Sequence, residues 1–526
     1  MTTEIKTHLG NKGYTIYKNG LSKEQTEKIV KDLTVKPFVG PGFASANDES
    51  DTYEAYRANE AKIYVPYFYG LRNFGIPKQV RLNEGDDINL IFSSDLRENQ
   101  VPVVETFLSH IAEENKKGNP KSGGLLELYT AFGKTALSLY LVSQLKKKTL
   151  VLVHKEFLMN QWIERIRQFL PEAKIGKIQG ETMDVENKDI VLGMIQSISM
   201  KVYPTELFSS FGFLIIDETH HISSKVFSNA LFKIVTKYTL GLSATMNRKD
   251  NTTWVIKDFL GDILYKSKQR ELEQQVIVRA IDYYINDDEF NETVYDYRGN
   301  PQYSTMISRL CDSNHRTEFI LLVLTDMLRE NPHQQIMILA HNRNVLEYLY
   351  TAINHRHITT CGYYLGGMKE RDLKATEKQT VVLATYAMAA EALDIKTLST
   401  LMMITPKTDI TQSVGRILRD KNRSAPLIID IIDYHQLFKN QWQKRKTFYK
   451  KEGYKIIHTT NSKYSQVCEN FGSKTERDDL HWETIYDPNA VHSLNGKHKG
   501  KYKNMDSDSN DKEDILHEKC LIKMKK

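Results

Sequence analysis

Five consecutive residues, AFGKT at 131–135, have the types and setting to hold a phosphate. They follow an apolar run and open an amphipathic one. In that strand–loop–helix setting, backbone N–H groups at a helix start attract phosphate oxygens. Lys134 would reach the β- and γ-phosphates and Thr135 would ligate Mg²⁺, with Phe132, Gly133 and Ala136 completing the loop. Leu128 and Ala131 stand where such loops often carry glycine. Taken alone, GKT also reads as an ordinary helix start. Further on, FLIIDETH (213–220) ends four apolar residues in paired acids. Asp217, at the end of a buried strand, could hold Mg²⁺ through water, and Glu218 could orient or deprotonate an attacking water. The bland alternative is an acidic helix cap. QSVGRILR (412–419) puts Arg416 and Arg419 on one helical face. Guanidinium groups clamp phosphates, and a charge delivered from one domain to a phosphate held by another acts as an arginine finger. In isolation the same residues read as an exposed basic helix.

These residues need elements to position them. From Gly123 short apolar runs alternate with amphipathic stretches. GGLLEL (123–128), TLVLV (149–153), DIVLGM (189–194), FLII (213–216) and YTLGL (238–242) read as strands, with helices over 134–145 and from Lys155. A second series holds a helix over 318–328, QIMILA (335–340), a helix from Arg343, TVVLAT (380–385), STLMMI (399–404) and PLIIDII (426–432). Such alternation predicts an α/β protein with two tandem parallel-sheet domains. The expected divisions are an N-terminal accessory region over 1–88, a first domain over 89–256 and a linker or insertion over 257–310. A second domain over 311–455 and a C-terminal extension over 456–526 follow, the latter with a polar stretch at 496–514 expected to be disordered.

Composition agrees with a folded, mildly basic protein. The chain has 526 residues, 40% hydrophobic and 26% charged, and a net charge of +6, which permits a polyanionic partner without requiring one. The four cysteines form no CxxC pair, so a zinc ribbon or disulfide scaffold is not expected. The first fourteen residues, MTTEIKTHLGNKGY, have no apolar core of a secretory signal, and no run approaches the roughly 18 apolar residues of a membrane span.

In this order the motifs resemble a superfamily 2 DExH helicase over roughly residues 90–455. GKT corresponds to motif I, DETH to motif II, SAT at 243–245 to motif III and QSVGRILR to motif VI. VLVHKEFLMNQW (151–162), GMIQSIS (193–199), MILAHNRNVL (337–346) and ATYAMAAEALDIKTLSTLMM (384–403) resemble the motifs between them. NRKD (247–250) looks like the R-E-D element of the XPB-type branch, with Lys249 for Glu. FKNQWQKRKTFYKKEGY (438–454) is similar to viral members, among them the poxvirus transcript-release helicase and relatives in large cytoplasmic DNA viruses.

The resemblance implies two RecA-like domains with ATP and Mg²⁺ between them. It casts Lys134, Thr135, Asp217 and Glu218 as the first domain's chemistry, with Arg416 and Arg419 completing it from the second. Gln412 would contact the γ-phosphate or attacking water. Gln100, in LRENQ (96–100), would read adenine. His220 would bridge to motif III or VI, and Ser243 and Thr245 would couple the site to the nucleic-acid surface. Ser197, Thr385 and the Gln161–Trp162 pair sit in motifs that contact nucleic acid, though Trp162 reads better as core. In 435–451 an aromatic stripe of Phe438, Trp442 and Tyr449, with Arg445 among them, should dock the helix. Lys439, Lys446 and Lys450 would then lie elsewhere on its surface, as a solvated face or along a nucleic-acid backbone. The expected activity is an ATP-dependent DNA helicase or translocase of low sequence specificity, working with transcription, repair or recombination machinery. An RNA helicase and a catalytically decayed scaffold are the alternatives. The expected location is intracellular; for a viral protein it is the host cytoplasm and the virion, with no membrane partner.

Overall fold

The computed structural model describes residues 5–38, 52–129, 132–221, 224–246, 248, 250–267, 275–391, 395, 397–410, 413–414, 426–469 and 482–490. The expected disordered stretch at 496–514 lies outside them.

A small sheet comes first. Strands β1 (Thr7–Gly10), β2 (Gly13–Tyr17), β5 (Arg57–Ala58), β6 (Lys62–Val65) and β7 (Gln79–Val80) lie in the order β5-β6-β2-β1-β7. Strands β3 (Thr34–Val35) and β4 (Tyr53–Glu54) form a separate two-stranded ladder. Helix Lys23–Leu33 begins in a capping box, Ser22 and Gln25 each satisfying the other's backbone N–H, and buries Ile29 and Leu33.

Two eight-stranded sheets follow. The first holds β8 (Ser122–Glu127), β9 (Thr149–Val153), β10 (Ile175–Gln179), β11 (Thr182–Asp184), β12 (Ile190–Met194), β13 (Phe213–Ile216), β14 (Tyr238–Ser243) and β15 (Ile263–Lys266). Its order is β11-β10-β12-β9-β13-β14-β8-β15, parallel except for β11. The second holds β16 (Ile277–Tyr283), β17 (Gln335–Ala340), β18 (Cys361–Tyr364), β19 (Val381–Thr385), β20 (Leu398–Met403), β21 (Leu427–Asp433), β22 (Lys455–Thr460) and β23 (Glu483–Tyr486). Its order is β18-β19-β17-β20-β21-β16-β22-β23, parallel except for β23.

Strands β9, β13 and β14 are buried along their whole length, as central strands covered on both faces must be. Their residues alternate between two apolar layers. Val151, Phe213, Ile215 and Leu240 enter one, with Leu137 and Trp162; Leu150, Leu152, Leu214 and Ile216 enter the other. That second layer runs without a break into Leu9, Tyr14 and Ile63 of the small sheet. The accessory region is thus bolted to the first lobe by a shared core, and Arg72 pairs with the buried Asp258 at the seam.

Two of the expected boundaries move. The segment 257–310 is no linker. Its β15 extends the first sheet beside β8, and β16 lies between β21 and β22 inside the second. Charged residues within it find partners in the fold: Arg279 pairs with Glu330 at 2.7 Å and Asp282 with His458 at 3.0 Å. The second lobe also runs past residue 455, because β22 and β23 belong to its sheet. Among the described residues, no helix is long and apolar enough to cross a membrane.

Candidate nucleotide site

Strands β13, β14 and β8 are neighbours in the first sheet, and the turns after their carboxyl ends carry motifs II, III and I. In open parallel sheets, ligands bind outside these ends. Here the strand order does what spacing could not: it brings residues from three distant segments together.

Gly133 opens helix Lys134–Leu145 with φ +90°, a left-handed conformation in which glycine carries no steric penalty. A Cβ there would also lie 2.4 Å from Gln100 Nε2. The reason is that Gln100, buried, braces the loop. Its Nε2 donates to the carbonyls of Phe132 (3.0 Å) and Gly133 (3.3 Å), and its Oε1 accepts from Arg97 N–H (2.9 Å). The amide of Gln100, expected to read adenine, here bonds backbone groups of the phosphate loop and of Arg97.

Lys134 Nζ lies 2.8 Å from Glu218 Oε1, both side chains mostly shielded. Asp217 is buried. Its Oδ2 accepts from Trp162 Nε1 at 2.8 Å and its Oδ1 from Glu218 N–H at 2.9 Å. Burial, then the adjacent Glu218 charge, push the Asp217 carboxyl above the usual carboxylate range, with Lys134 opposing. Glu218 has φ +47°, uncommon for a non-glycine residue and a form of local strain that clusters at functional sites.

The acids are wired onward. His220 Nδ1 is 3.4 Å from Glu218 Oε2 and 2.6 Å from Ser243 Oγ. The Ser243 hydroxyl donates to the Thr245 carbonyl at 2.6 Å and accepts from Thr245 N–H at 3.1 Å. With the hydroxyl proton so placed, His220 must donate from Nδ1. His220 of motif II thus contacts Ser243 of motif III. Arg248 fixes the far side, donating to the His220 carbonyl at 2.9 Å and pairing with Asp250 at 2.7 Å. Burial alone would raise the Asp250 carboxyl, but Arg248 and Thr252 hold it down to about 2.

Other expected residues divide. Thr135 and Ala136 sit half-buried in the first turn of the phosphate-loop helix. Ser197 is half-buried and accepts from Gly180 N–H at 3.2 Å, tying down a turn. Thr385 ends β19, opposite Ala340. Helix Gln436–Lys451 buries Phe438, Trp442, Arg445 and Tyr449 as the stripe predicts. Lys439 lies over the Tyr434 ring at 4.0 Å and Lys450 over Tyr486 at 5.9 Å, while Lys446 is half-buried. Gln412, Arg416, Arg419, Ala131 and Lys249 lie outside the described residues. Sequence reasoning missed two supports, the Trp162 donor and the Gln100 brace. A Trp inside motif Ia was visible, but nothing local tells which acid its indole meets.

Two lobes with parallel sheets, and this cluster at the strand ends of the first, define a nucleotide-hydrolysing motor of the helicase class. Residues 93–248 match the family described as type III restriction enzyme, res subunit. The chain is 33% identical over 464 residues, 87% of each chain, to L396 of Acanthamoeba polyphaga mimivirus, provisionally named an ATP-dependent RNA helicase. It is 25% identical over 366 residues, 64% of this chain and 70% of the relative, to QP509L of African swine fever virus (isolate Tick/South Africa/Pretoriuskop Pr4/1996), named in the same provisional way. Among solved structures, the Pyrococcus furiosus Hef helicase domain is similar at 12% identity and a TM-score of 0.45, over 68% of this chain and all of that one. The chain belongs to the family of helicases that includes L396 and is an ATP-hydrolysing helicase.

Proposed function

We propose that this helicase acts on DNA, moving along or unwinding it in viral transcription, repair or recombination, within the host cell. The observation that carries the reading is the cluster of Lys134, Glu218, His220 and Ser243, in which Lys134 pairs with Glu218 while His220 of motif II lies 3.4 Å from Glu218 and meets Ser243 of motif III at 2.6 Å. The Arg248–Asp250 pair just after that motif fits the R-E-D element of the XPB-type branch, to which the viral transcript-release helicases are also likened.

The residues fit ATP with Mg²⁺. Asp217 is a buried acid whose hydrogen-bond donors among the described residues are the neutral Trp162 indole and Glu218 N–H, so its charge leaves room for a cation, and the Thr135 hydroxyl is part of the adjoining helix turn. Mg²⁺ bound there would neutralise phosphate charge. In this structure Lys134 is paired with Glu218. Triphosphate oxygens compete for that ammonium, and Glu218 is then released to take a proton from the attacking water. The ion pair thus keeps the base engaged until nucleotide arrives. The motif resemblance assigns the remaining phosphate-clamping charges to Arg416 and Arg419, which lie outside the described residues.

One assay tests the substrate. Phosphate release is measured with single-stranded DNA, duplex DNA and RNA of one sequence. DNA should stimulate turnover more than RNA. Stronger stimulation by RNA would transfer the protein to RNA helicase activity, the activity given in the names of L396 and QP509L.

A further inference from the structure

We infer that the outer face of the N-terminal sheet is a second nucleic-acid site, one that takes a single strand and stacks its bases. The inference rests on the helicase reading for the polymer's identity and on the sheet for everything else.

Register decides which residues share this face. Gln79 pairs with His8, His8 with Thr15, and Thr15 with Tyr64, one row crossing four strands. Tyr17 and Lys62 pair in the next row. The alternate residues Leu9, Tyr14, Ile16, Ile63 and Val65 all enter the shared core, so this row points the other way, with half-buried Tyr64 also packing against that core. Strands β1, β2, β5, β6 and β7 contain no Asp or Glu.

The face is built from cations and rings. Lys62 Nζ lies over the Tyr17 ring at 4.8 Å and Lys12 Nζ over Tyr64 at 5.6 Å. His8 stands 5.6 Å from Tyr17, centroid to centroid. Arg81 donates to Gln79 at 2.8 Å. Lys12, Gln79 and Arg81 are exposed, and Tyr17, Lys62 and Tyr64 half-exposed. Among the described residues, Lys12, Lys62 and Arg81 have no carboxylate partner. Burial first, then Arg81 and Lys62, lower the pKa of His8, so the nearby field is positive. His8 Nδ1 is buried without a hydrogen-bond partner on the floor of the same face.

Charge complementarity selects a polyanion. Tyr17 and Tyr64 are diagonal neighbours on adjacent strands, roughly 7–8 Å apart. That spacing suits successive bases of an extended strand, and a π-face accepts every base alike. A fully paired duplex hides those faces, so a single strand is the occupant. The sheet shares its core with the first lobe, so a strand held here stays fixed relative to the motor.

The test uses the full chain and a fluorescent 20-residue thymidine oligonucleotide, with anisotropy read at several salt concentrations. Changing Lys12, Lys62 and Arg81 together to Ala should weaken binding about tenfold and lower the salt slope by up to about 2. Changing Tyr17 and Tyr64 to Leu should weaken binding about tenfold or more and leave the slope. Wild-type melting temperatures establish that the variants are folded. Wild-type affinity and slope in the triple variant would overturn the site. So would an equal loss for a fully paired duplex in the Leu variant, since stacking would not then be the cause. The helicase reading stands or falls separately, on whether the same oligonucleotide stimulates wild-type ATP hydrolysis.

Discussion

Lys134, Asp217 and Glu218 are two acids and one base in a poorly solvated pocket, and their chemistry depends on what each faces. Lys134→Ala removes the phosphate's main side-chain cation and frees Glu218 from its partner. Phosphate release should fall at least a hundredfold; near-normal turnover would mean the loop is not catalytic. The indole of Trp162 gives a finer test. Trp162→Phe deletes one donor to a buried carboxylate while keeping most of the volume. A hydrogen bond to a charged group is worth about 1.5–3 kcal/mol, so turnover should drop roughly tenfold or more if that bond sets the acid's position. Equal turnover in the two proteins would reduce the bond to packing. Elsewhere Lys121 is buried, and its ammonium donates to the Thr236 carbonyl at 2.8 Å. Burial lowers its pKa from 10.5 to about 7. Between those values the unfolded chain holds more protons than the folded one, so stability rises with pH across this window. The penalty is present in full below about 7. Lys121→Met should therefore raise the melting temperature roughly 2–4 °C at pH 7. The gain should shrink toward pH 10. Melting curves across that range decide it, and a gain that grows with pH would refute the account.

At the scale of elements, helix Gln436–Lys451 is held by a buried ion pair. Arg445 Nε and Nη2 each lie 2.8 Å from Asp430, Arg445 Nη1 donates to the Lys407 carbonyl at 2.6 Å, and Tyr449 donates to Asp430 at 3.0 Å. Removing one member of such a pair leaves an uncompensated buried charge and costs about 3–5 kcal/mol. Arg445→Ala should lower the unfolding free energy of the second lobe by about that amount, read by urea titration. The double change Arg445→Met with Asp430→Leu should recover much of it, because the stranded charge is gone. A double variant as unstable as the single one would locate the loss in packing instead. The neighbouring pair, Arg316 with Asp433 at 2.7 Å, pins helix Asn314–Glu330 to β21 in the same way. Lys439 and Lys450 lie over rings of this lobe, so the helix needs no nucleic acid to order them.

For the whole molecule, what matters is how the lobes touch. Helix Glu156–Phe169 of the first lobe meets helix Glu370–Thr376 of the second. Lys374 Nζ lies 2.8 Å from Glu164, and Asn160 donates to Glu370 at 3.1 Å. Phe157 packs against the cores of both lobes. The charged groups are about half exposed, so each pair contributes only about 0–1 kcal/mol. A contact that weak can hold a resting arrangement and still yield to nucleotide-driven movement. Lys374→Glu puts like charges against Glu164 and Glu370. Without nucleotide, the distance between dyes on the two lobes should broaden in single-molecule energy transfer, and adding Glu164→Lys should narrow it again. An unchanged distribution in the single variant would show that the polar contacts do not set the lobe arrangement.

The sequence by itself determined the local features. Strand–loop–helix around Lys134, the apolar run into Asp217 and the aromatic stripe of helix Gln436–Lys451 were all legible, because each depends on residues within a turn or two. Motif order identified the helicase class before any geometry. Tertiary structure decided the rest. It set Trp162 on Asp217 across 55 residues and Lys134 on Glu218 across 84. It turned a supposed linker into β15 and β16, and fused the N-terminal sheet to the first lobe's core. Strand neighbours and buried donors are chosen by pairing and burial summed over the whole chain. No short window of sequence holds both partners of such a contact, so only the folded molecule shows which acid an indole meets.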